Sequence, residues 1–100
     1  MRTSVLGIVP ARLASTRLPN KPLHPVLGRP LIEWVWRRVS RFSSLDHAVV
    51  ATDSEQVAEV CRRLGAPVEM TDPDHPSGTD RVAEVAARGV YRGFDVIANI

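Results

Sequence analysis

The feature that most restricts the possible fold is an apolar run near the N-terminus, Ser4–Pro10, which reads SVLGIVP. Its apolar residues are nearly continuous instead of alternating with polar ones, and several of them are β-branched. This pattern is typical of a strand that is buried on both faces, as strands are in parallel sheets whose crossover helices cover both sides. The run therefore predicts an α/β fold in which helices and further strands follow in alternation.

The rest of the chain fits this alternation. Three groups of apolar residues recur at helical spacing, and in chain order they are Ile32, Val35, Val39 and Phe42, then Val57, Val60, Cys61 and Leu64, and then Val82, Val85 and Ala86. Apolar segments that separate and follow these helices predict three more strands, at His47–Asp53, Pro67–Met70 and Asp95–Ile100. The predicted order is β-α-β-α-β-α-β, which implies parallel pairing with right-handed crossovers.

Capping signals mark the ends of two predicted helices. Asp53, with Gln56 three residues later, has the spacing of a capping box at the start of the second helix. Gly65 follows the last apolar residue of that helix and would end it. The third helix is predicted to begin at Ser77 or Thr79, because either hydroxyl can cap a first turn.

Composition fits one ordinary globular domain, since 44% of the residues are apolar and 24% are charged. A formal net charge of +2 is too small to predict a general nucleic-acid binder. Because there is one cysteine and no apolar run near the roughly 20 residues of a membrane helix, a cytoplasmic protein without membrane contact is expected. The last predicted strand reaches Ile100 without a turn signal, so residues 1–100 are expected to be the N-terminal part of a longer single-domain protein.

A cluster of cations follows the first predicted strand. Residues 11–29 are rich in proline and predict a long loop, after which Pro30 stands where the first helix would begin. Arg12, Arg17 and Lys21 lie on this loop with no acidic residue near them in sequence. Arginine and lysine suit phosphate oxygens, so the cluster predicts a site for a polyanion such as a triphosphate. A solvated basic loop is the alternative, and neither a P-loop nor a dinucleotide-binding glycine fingerprint is present.

A second polar cluster, HPSGTDR, joins the third predicted strand to the third helix. Ser77 and Gly78 would expose backbone amides at a helix N-terminus, where an anion or the edge of a base can bind. Arg81 lies in the first turn, where a cation is mildly unfavourable, which suggests that it has a partner elsewhere. The alternative is that Ser77 is only an N-cap. Both clusters follow strand ends and should meet at the carboxyl edge of the sheet.

Other candidate residues have structural interpretations. His24, His47 and His75 lack the spacing of a zinc site. Cys61 lies on the apolar stripe of the second helix, so we expect it in the core, because a nucleophilic cysteine needs a polar, cation-rich setting.

Four segments together closely resemble the 3-deoxy-manno-octulosonate (KDO) cytidylyltransferase family, also called CMP-KDO synthetases. They read VPARLASTRLPNKPL, GRPLIEWV, VVATDSEQVAEV and MTDPDHPSGTDRVAEV, and they cover essentially the whole chain. The resemblance implies a Rossmann-like, three-layer α/β/α fold of the nucleotide-diphospho-sugar-transferase type with a mostly parallel sheet. It also implies an enzyme that joins CTP and the sugar acid KDO into CMP-KDO and pyrophosphate for lipopolysaccharide synthesis, with Mg²⁺ as cofactor and a homodimer as the assembly.

The resemblance also implies roles for individual residues. Arg17 and Lys21 would grip the triphosphate and act in catalysis. The residues implied in CTP binding are Pro10, Ala11, Arg12, Arg17, Lys21, Ser77, Gly78 and Arg81. The family's metal-binding acids would come after the fourth predicted strand, so no metal ligand is expected within residues 1–100, which alone would be inactive. Two alternatives stay open: another sugar-acid cytidylyltransferase, such as a sialic-acid type, or a module that binds CTP without activity.

Overall fold

The alternation predicted from the sequence is present in the computed structural model, which describes residues 3–12 and 21–100. The strands are β1 (Val5–Pro10), β2 (Pro25–Val26), β3 (Arg29–Pro30), β4 (His47–Thr52), β5 (Val68–Met70) and β6 (Val96–Asn99). The helices are α1 (Leu31–Val39), α2 (Glu55–Leu64) and α3 (Gly78–Ala86), with 3-10 turns at Lys21–Leu23 and Gly89–Tyr91. Across these described ranges, no helix is both long and apolar enough to cross a membrane.

Four strands form one parallel sheet in the order β5-β4-β1-β6. β1 pairs with β4 on one side, from Leu6 opposite His47, and with β6 on the other, from Val5 opposite Val96. The chain thus winds outward from β1 through β4 and β5 and then returns to the opposite side of β1 as β6. This reversal creates a switch point between β1 and β6, and open α/β sheets bind ligands beyond the carboxyl ends of the strands at such a point.

Helices cover both faces of the sheet. On one face, α1 and α2 bury a cluster that includes Ile32, Cys61 and Val9. On the other, α3 buries Val85 against a cluster that includes Ile8. Neighbouring residues of β1 therefore point into different layers, which explains why the first strand is apolar without alternation. The predicted three-layer α/β/α fold is confirmed, and so is the prediction that Cys61 lies in the core.

The proline-rich stretch predicted as a long loop contains a small hairpin that the sequence analysis missed. β2 and β3 pair antiparallel, and the turn between them places Leu27 at φ 50° and Gly28 at φ 81°. Two consecutive positive φ angles suit a two-residue hairpin turn, but leucine seldom adopts one, so this turn is hard to predict from its residues. Pro30, predicted as the first helical residue, is the N-cap of α1, which begins at Leu31.

The N-cap predicted for α2 is wrong, and for α3 the structure decides between the two predicted N-caps. Asp53 does not cap α2; Ser54 does, and its Oγ accepts a hydrogen bond from Val57 N at 3.2 Å. β4 ends one residue earlier than predicted, which puts Ser54 in the extended conformation that an N-cap needs. Of the two candidates for α3, Ser77 is the cap. Gly65 ends α2 at φ 75°, as predicted.

Candidate functional site: the carboxyl edge at the switch point

The end of β1 and the start of α3 are in contact. A Cβ placed on Gly78 would lie 3.4 Å from Pro10 Cγ, so the first turn of α3 packs directly against the residue that ends β1. Asn99, at the end of β6, donates from Nδ2 to Thr79 Oγ1 at 3.3 Å. The switch point therefore brings together the two polar segments that the sequence analysis expected to meet.

The chain leaving β1 is fixed by β4. Ala11 N donates to Ala51 O at 2.8 Å, which extends the ladder past the end of β1. Thr52 Oγ1 donates to Ala11 O at 2.7 Å and accepts from Ser54 N at 3.1 Å. Since the Thr52 side chain is fully buried, these are the bonds that satisfy its hydroxyl. The sequence places Thr52 in the segment that caps the second helix but does not show which partners its hydroxyl has, although a hydroxyl at the end of a buried strand is a signal that it needs some.

A cavity of about 370 Å³ opens beside this chain segment, on the α1 face of the sheet. Its volume lies within the range of small-molecule sites. It is lined by Val9, Pro10, Ala11 and Arg12 at the end of β1, by Lys21 and Pro22, by Leu31, Ile32 and Val35, and by Ile100. The wall is mostly apolar, and its cations come from Arg12 and Lys21, whose side chains are exposed.

Two of the three predicted phosphate-binding cations are therefore on one cavity. Lys21 is the first residue of the 3-10 turn, and its backbone carbonyl accepts a hydrogen bond from His24 N at 3.1 Å. The carbonyl of His24 in turn accepts from Leu31 N at 2.9 Å. This chain of bonds fixes the turn to the start of α1. Arg17 lies outside the described residues, so its predicted role in the triphosphate grip stays a prediction.

The other predicted segment does not line this cavity. Ser77, Gly78 and Arg81 lie on the α3 side of Pro10. Ser77 Oγ accepts from Asp80 N at 3.3 Å and donates to Asp80 Oδ2 at 2.6 Å, so the side chain acts as an N-cap, which was the alternative interpretation. The backbone amides of the first turn of α3 lie on the same side of the site.

Arg81, which the resemblance implies in CTP binding, is fully buried. Its Nη1 donates to Thr71 Oγ1 and, at 3.0 Å, to Asp72 O. The side chain thus connects α3 to the end of β5. This confirms the prediction that Arg81, a cation in the first turn of a helix, has a partner elsewhere in the chain. Nε and Nη2 of Arg81 have no hydrogen-bond partner among the described residues.

Residues 3–12 and 21–100 contain no group of three or more His, Cys, Asp or Glu side chains that could hold a metal ion. The described residues therefore do not fit a protein-built Mg²⁺ site. Cys61 offers no metal or nucleophilic chemistry either, because burial raises the pKa of its thiol to about 11 and keeps it protonated.

Comparison with known proteins agrees with this architecture. A family model described as Cytidylyltransferase matches residues 6–99. Curated 3-deoxy-manno-octulosonate cytidylyltransferases from Gemmatimonas aurantiaca and Zea mays are 54% and 48% identical, over 96% and 99% of this chain. The chain spans only 37% and 33% of those two proteins.

A solved structure is also similar, namely that of a CMP:2-keto-3-deoxy-manno-octonic acid synthetase complexed with CTP. The two chains superpose with a TM-score of 0.90 at 35% sequence identity, over 98% of this chain and 39% of the synthetase. The resemblance seen in the four sequence segments is thereby confirmed. The chain belongs to the cytidylyltransferase family.

Proposed function

We propose that this member of the cytidylyltransferase family forms the nucleotide side of an enzyme that transfers CMP from CTP to KDO and releases pyrophosphate. One observation carries the proposal: nearly the whole chain superposes on a KDO cytidylyltransferase that was solved with CTP. The cavity and the Pro10–Gly78 contact support it, because both lie at the sheet edge where such folds bind nucleotides.

The triphosphate would lie on the cation side of the site. Arg12 and Lys21 are exposed at the cavity, and Arg17 lies between them in sequence. Their charges would neutralise the β- and γ-phosphates and stabilise the pyrophosphate as it leaves. The anomeric hydroxyl of the sugar acid would attack the α-phosphorus in line, so that one P–O bond forms as the bond to pyrophosphate breaks and the hydroxyl proton is released. Positioning and electrostatics would supply most of the catalysis.

The cytosine would lie against the first turn of α3. The first backbone amides of α3 have no hydrogen-bond partner within the helix, so they are available as donors to a ligand. Gly78 has no side chain that would obstruct the approach of a ligand to these amides. The Arg81 donors that lack partners could satisfy a base carbonyl, provided that the guanidinium moves from its buried position. In its buried position, Arg81 shapes this side of the site through Thr71 and Asp72.

Three other parts of the proposal have no support in the described residues. A requirement for Mg²⁺ and homodimer assembly depend on the resemblance alone, and a cytoplasmic location depends on the composition of the sequence. The described residues contain no metal-binding cluster, so none of the steps proposed above involves the metal.

The test is pyrophosphate release from CTP by the complete gene product, with a panel of sugar acids, with and without Mg²⁺. We expect release with KDO that depends on Mg²⁺. Release with a sialic acid instead would identify the neighbouring type of enzyme. CTP binding without release, whichever sugar acid is present, would contradict the transferase and leave a nucleotide-binding module.

A further inference from the structure

One carboxylate holds the loop that leads into α3. Glu84 Oε1 accepts hydrogen bonds from the backbone N of Asp72 at 2.9 Å and from His75 Nε2 at 2.7 Å. The Glu84 side chain is 28% exposed and that of His75 is 19% exposed, so both bonds are partly shielded from water. Two points of the loop, three residues apart, are therefore attached to the same atom on α3.

Arg88, which lies two residues beyond the end of α3, completes the attachment. It pairs with Glu84 Oε2, donates to Glu69 Oε1 at 2.9 Å and donates to Met70 O at 2.7 Å. These contacts bring the end of β5 into the same network. The Asp72 amide, then His75, and then Arg88 hold the pKa of Glu84 well below its usual range, at about 2 against the opposing effect of burial, so the carboxylate is ionised at neutral pH.

The loop is braced from inside as well. Asp72 O accepts from Arg81 Nη1 at 3.0 Å, and Asp72 Oδ1 accepts from Asp74 N at 2.8 Å. Side chains from two turns of α3 therefore hold both the N–H and the C=O of Asp72. Two residues after His75 comes Ser77, the cap of α3, and the next residue, Gly78, contacts Pro10.

Glu84 itself is too far along α3 to contact a nucleotide at the helix start. It lies six residues beyond Gly78, which is about 9 Å along a helix. Any influence that it has on the nucleotide must therefore pass through the loop.

We infer that Glu84 and His75 are positioning residues, whose mutual hydrogen bond sets the Ser77–Gly78 turn in the place where it selects cytosine over uracil. This inference rests on the proposed function, because it assumes that a cytidine nucleotide binds at that turn. A purely stabilising network is the competing explanation. It would change the melting temperature but would leave the ratio of affinities for two nucleotides unaltered.

The test compares two substitutions of His75 in the complete gene product. His75→Leu removes the donor, whereas His75→Gln keeps a nitrogen donor at a similar reach. Dissociation constants for CTP and UTP are measured by calorimetry well below the melting temperature of each variant. Glu84→Ala is added to remove both loop contacts. Glu59→Ala serves as the matched control, because within residues 3–12 and 21–100 the ion pairs of Glu59 are long and exposed, at 3.9 Å to Arg62 and 3.8 Å to Arg63 on α2.

We expect His75→Leu, which loses one hydrogen bond to a charged group, to weaken CTP binding about ten-fold, and Glu84→Ala, which loses both loop contacts, to weaken it at least as much; UTP binding should weaken much less in both variants. His75→Gln should restore most of the difference, and Glu59→Ala should change nothing. If Glu84→Ala folds poorly, the two His75 variants carry the test.

Other outcomes overturn the inference. Unchanged CTP affinity in His75→Leu would remove the positioning role, and so would an equal loss for CTP and UTP, because general loosening weakens both. Failure of the unaltered protein to bind CTP would overturn the proposed function, and this inference with it. Normal CTP binding with unresponsive variants would overturn the inference alone.

Discussion

The two sides of the candidate site are built differently. On the β1 side, backbone and Thr52 bonds fix the chain as far as Ala11, and the cations that follow, Arg12 and Lys21, are exposed. On the α3 side, the loop before Ser77 is braced by buried and half-buried side chains of α3. The difference matches the two tasks that we propose: exposed cations can neutralise a triphosphate without a unique geometry, whereas reading the edge of a base requires a backbone held in place.

The braced side should respond most strongly to substitution. We expect Arg81→Ala to lower the free energy of unfolding by roughly 3 kcal/mol, because it leaves Thr71 and the Asp72 carbonyl without their buried partner. Denaturant unfolding of Arg81→Ala measures the loss. The control is Arg62→Ala, which removes an exposed pair with Glu55 and should change stability by less than about 0.5 kcal/mol.

If both arginine substitutions changed the free energy of unfolding by equally small amounts, the α3 side of the site would not be held by buried side chains as described. The burial of Arg81 and its bonds to Thr71 and Asp72 predict a role in folding in addition to the CTP binding that the resemblance implies.

The exposed side should respond in activity but not in stability. We expect Lys21→Ala and Arg17→Ala each to lower kcat/KM by roughly ten- to a hundred-fold, since each removes one charge-assisted bond to phosphate. The melting temperature should stay nearly constant for Lys21→Ala, because Lys21 is exposed. Steady-state kinetics of the complete gene product provide the measurement, with Arg63→Ala on α2 as the control. Near-normal kcat/KM for both variants would exclude the triphosphate grip.

Thr52 offers an intermediate case on the β1 side. Thr52→Val keeps the volume but removes the hydroxyl that bridges Ala11 O and Ser54 N. We expect a loss of about 1–3 kcal/mol in the free energy of unfolding, and CTP binding weakened by less than about ten-fold. Thr52→Ser should retain most of both properties. A stable Thr52→Val variant with unchanged CTP affinity would show that the chain leaving β1 needs no such fixing.

Acid should selectively weaken the contacts that Glu84 makes with Asp72, His75 and Arg88. The pKa of Glu84 is lowered from 4.5 to about 2 in the folded protein, so its contribution to stability is complete above about pH 4.5 and is lost as the pH falls toward 2. Glu84→Gln should be less stable than the unaltered protein at pH 7, by roughly 1 kcal/mol, and the difference should shrink progressively as the pH falls from about 4.5 through 2. Thermal unfolding between pH 2 and pH 7 measures it; parallel curves for the two proteins would contradict the assignment.

The sequence predicted the framework of the fold because β1 and the helical stripes report burial directly. It also brought the end of β1 and the Ser77–Gly78 turn to one edge, since parallel strands all end on the same side. It missed the β2–β3 hairpin, whose turn requires a positive φ at Leu27. It could not show that Arg81 turns inward, because its partners, Thr71 and Asp72, lie ten and nine residues away in sequence.

The contacts of Glu84 could be predicted only in part from the sequence. Glu84 and Arg88 are four residues apart in sequence, a spacing that favours an ion pair at the end of a helix and that could have been noticed. The convergence of Asp72 N and His75 Nε2 on Glu84 could not have been, because it depends on the path of an irregular loop.

Titration of the isotope-labelled protein with CTP, followed by the shifts of backbone amide resonances, tests most directly whether one nucleotide contacts both sides. We predict saturable shifts with a common dissociation constant at Ala11 and Arg12 and at Gly78 and Thr79, with none in the last turn of α2. Shifts at only one of the two segments, or different dissociation constants for them, would contradict a single cytidine nucleotide held between them.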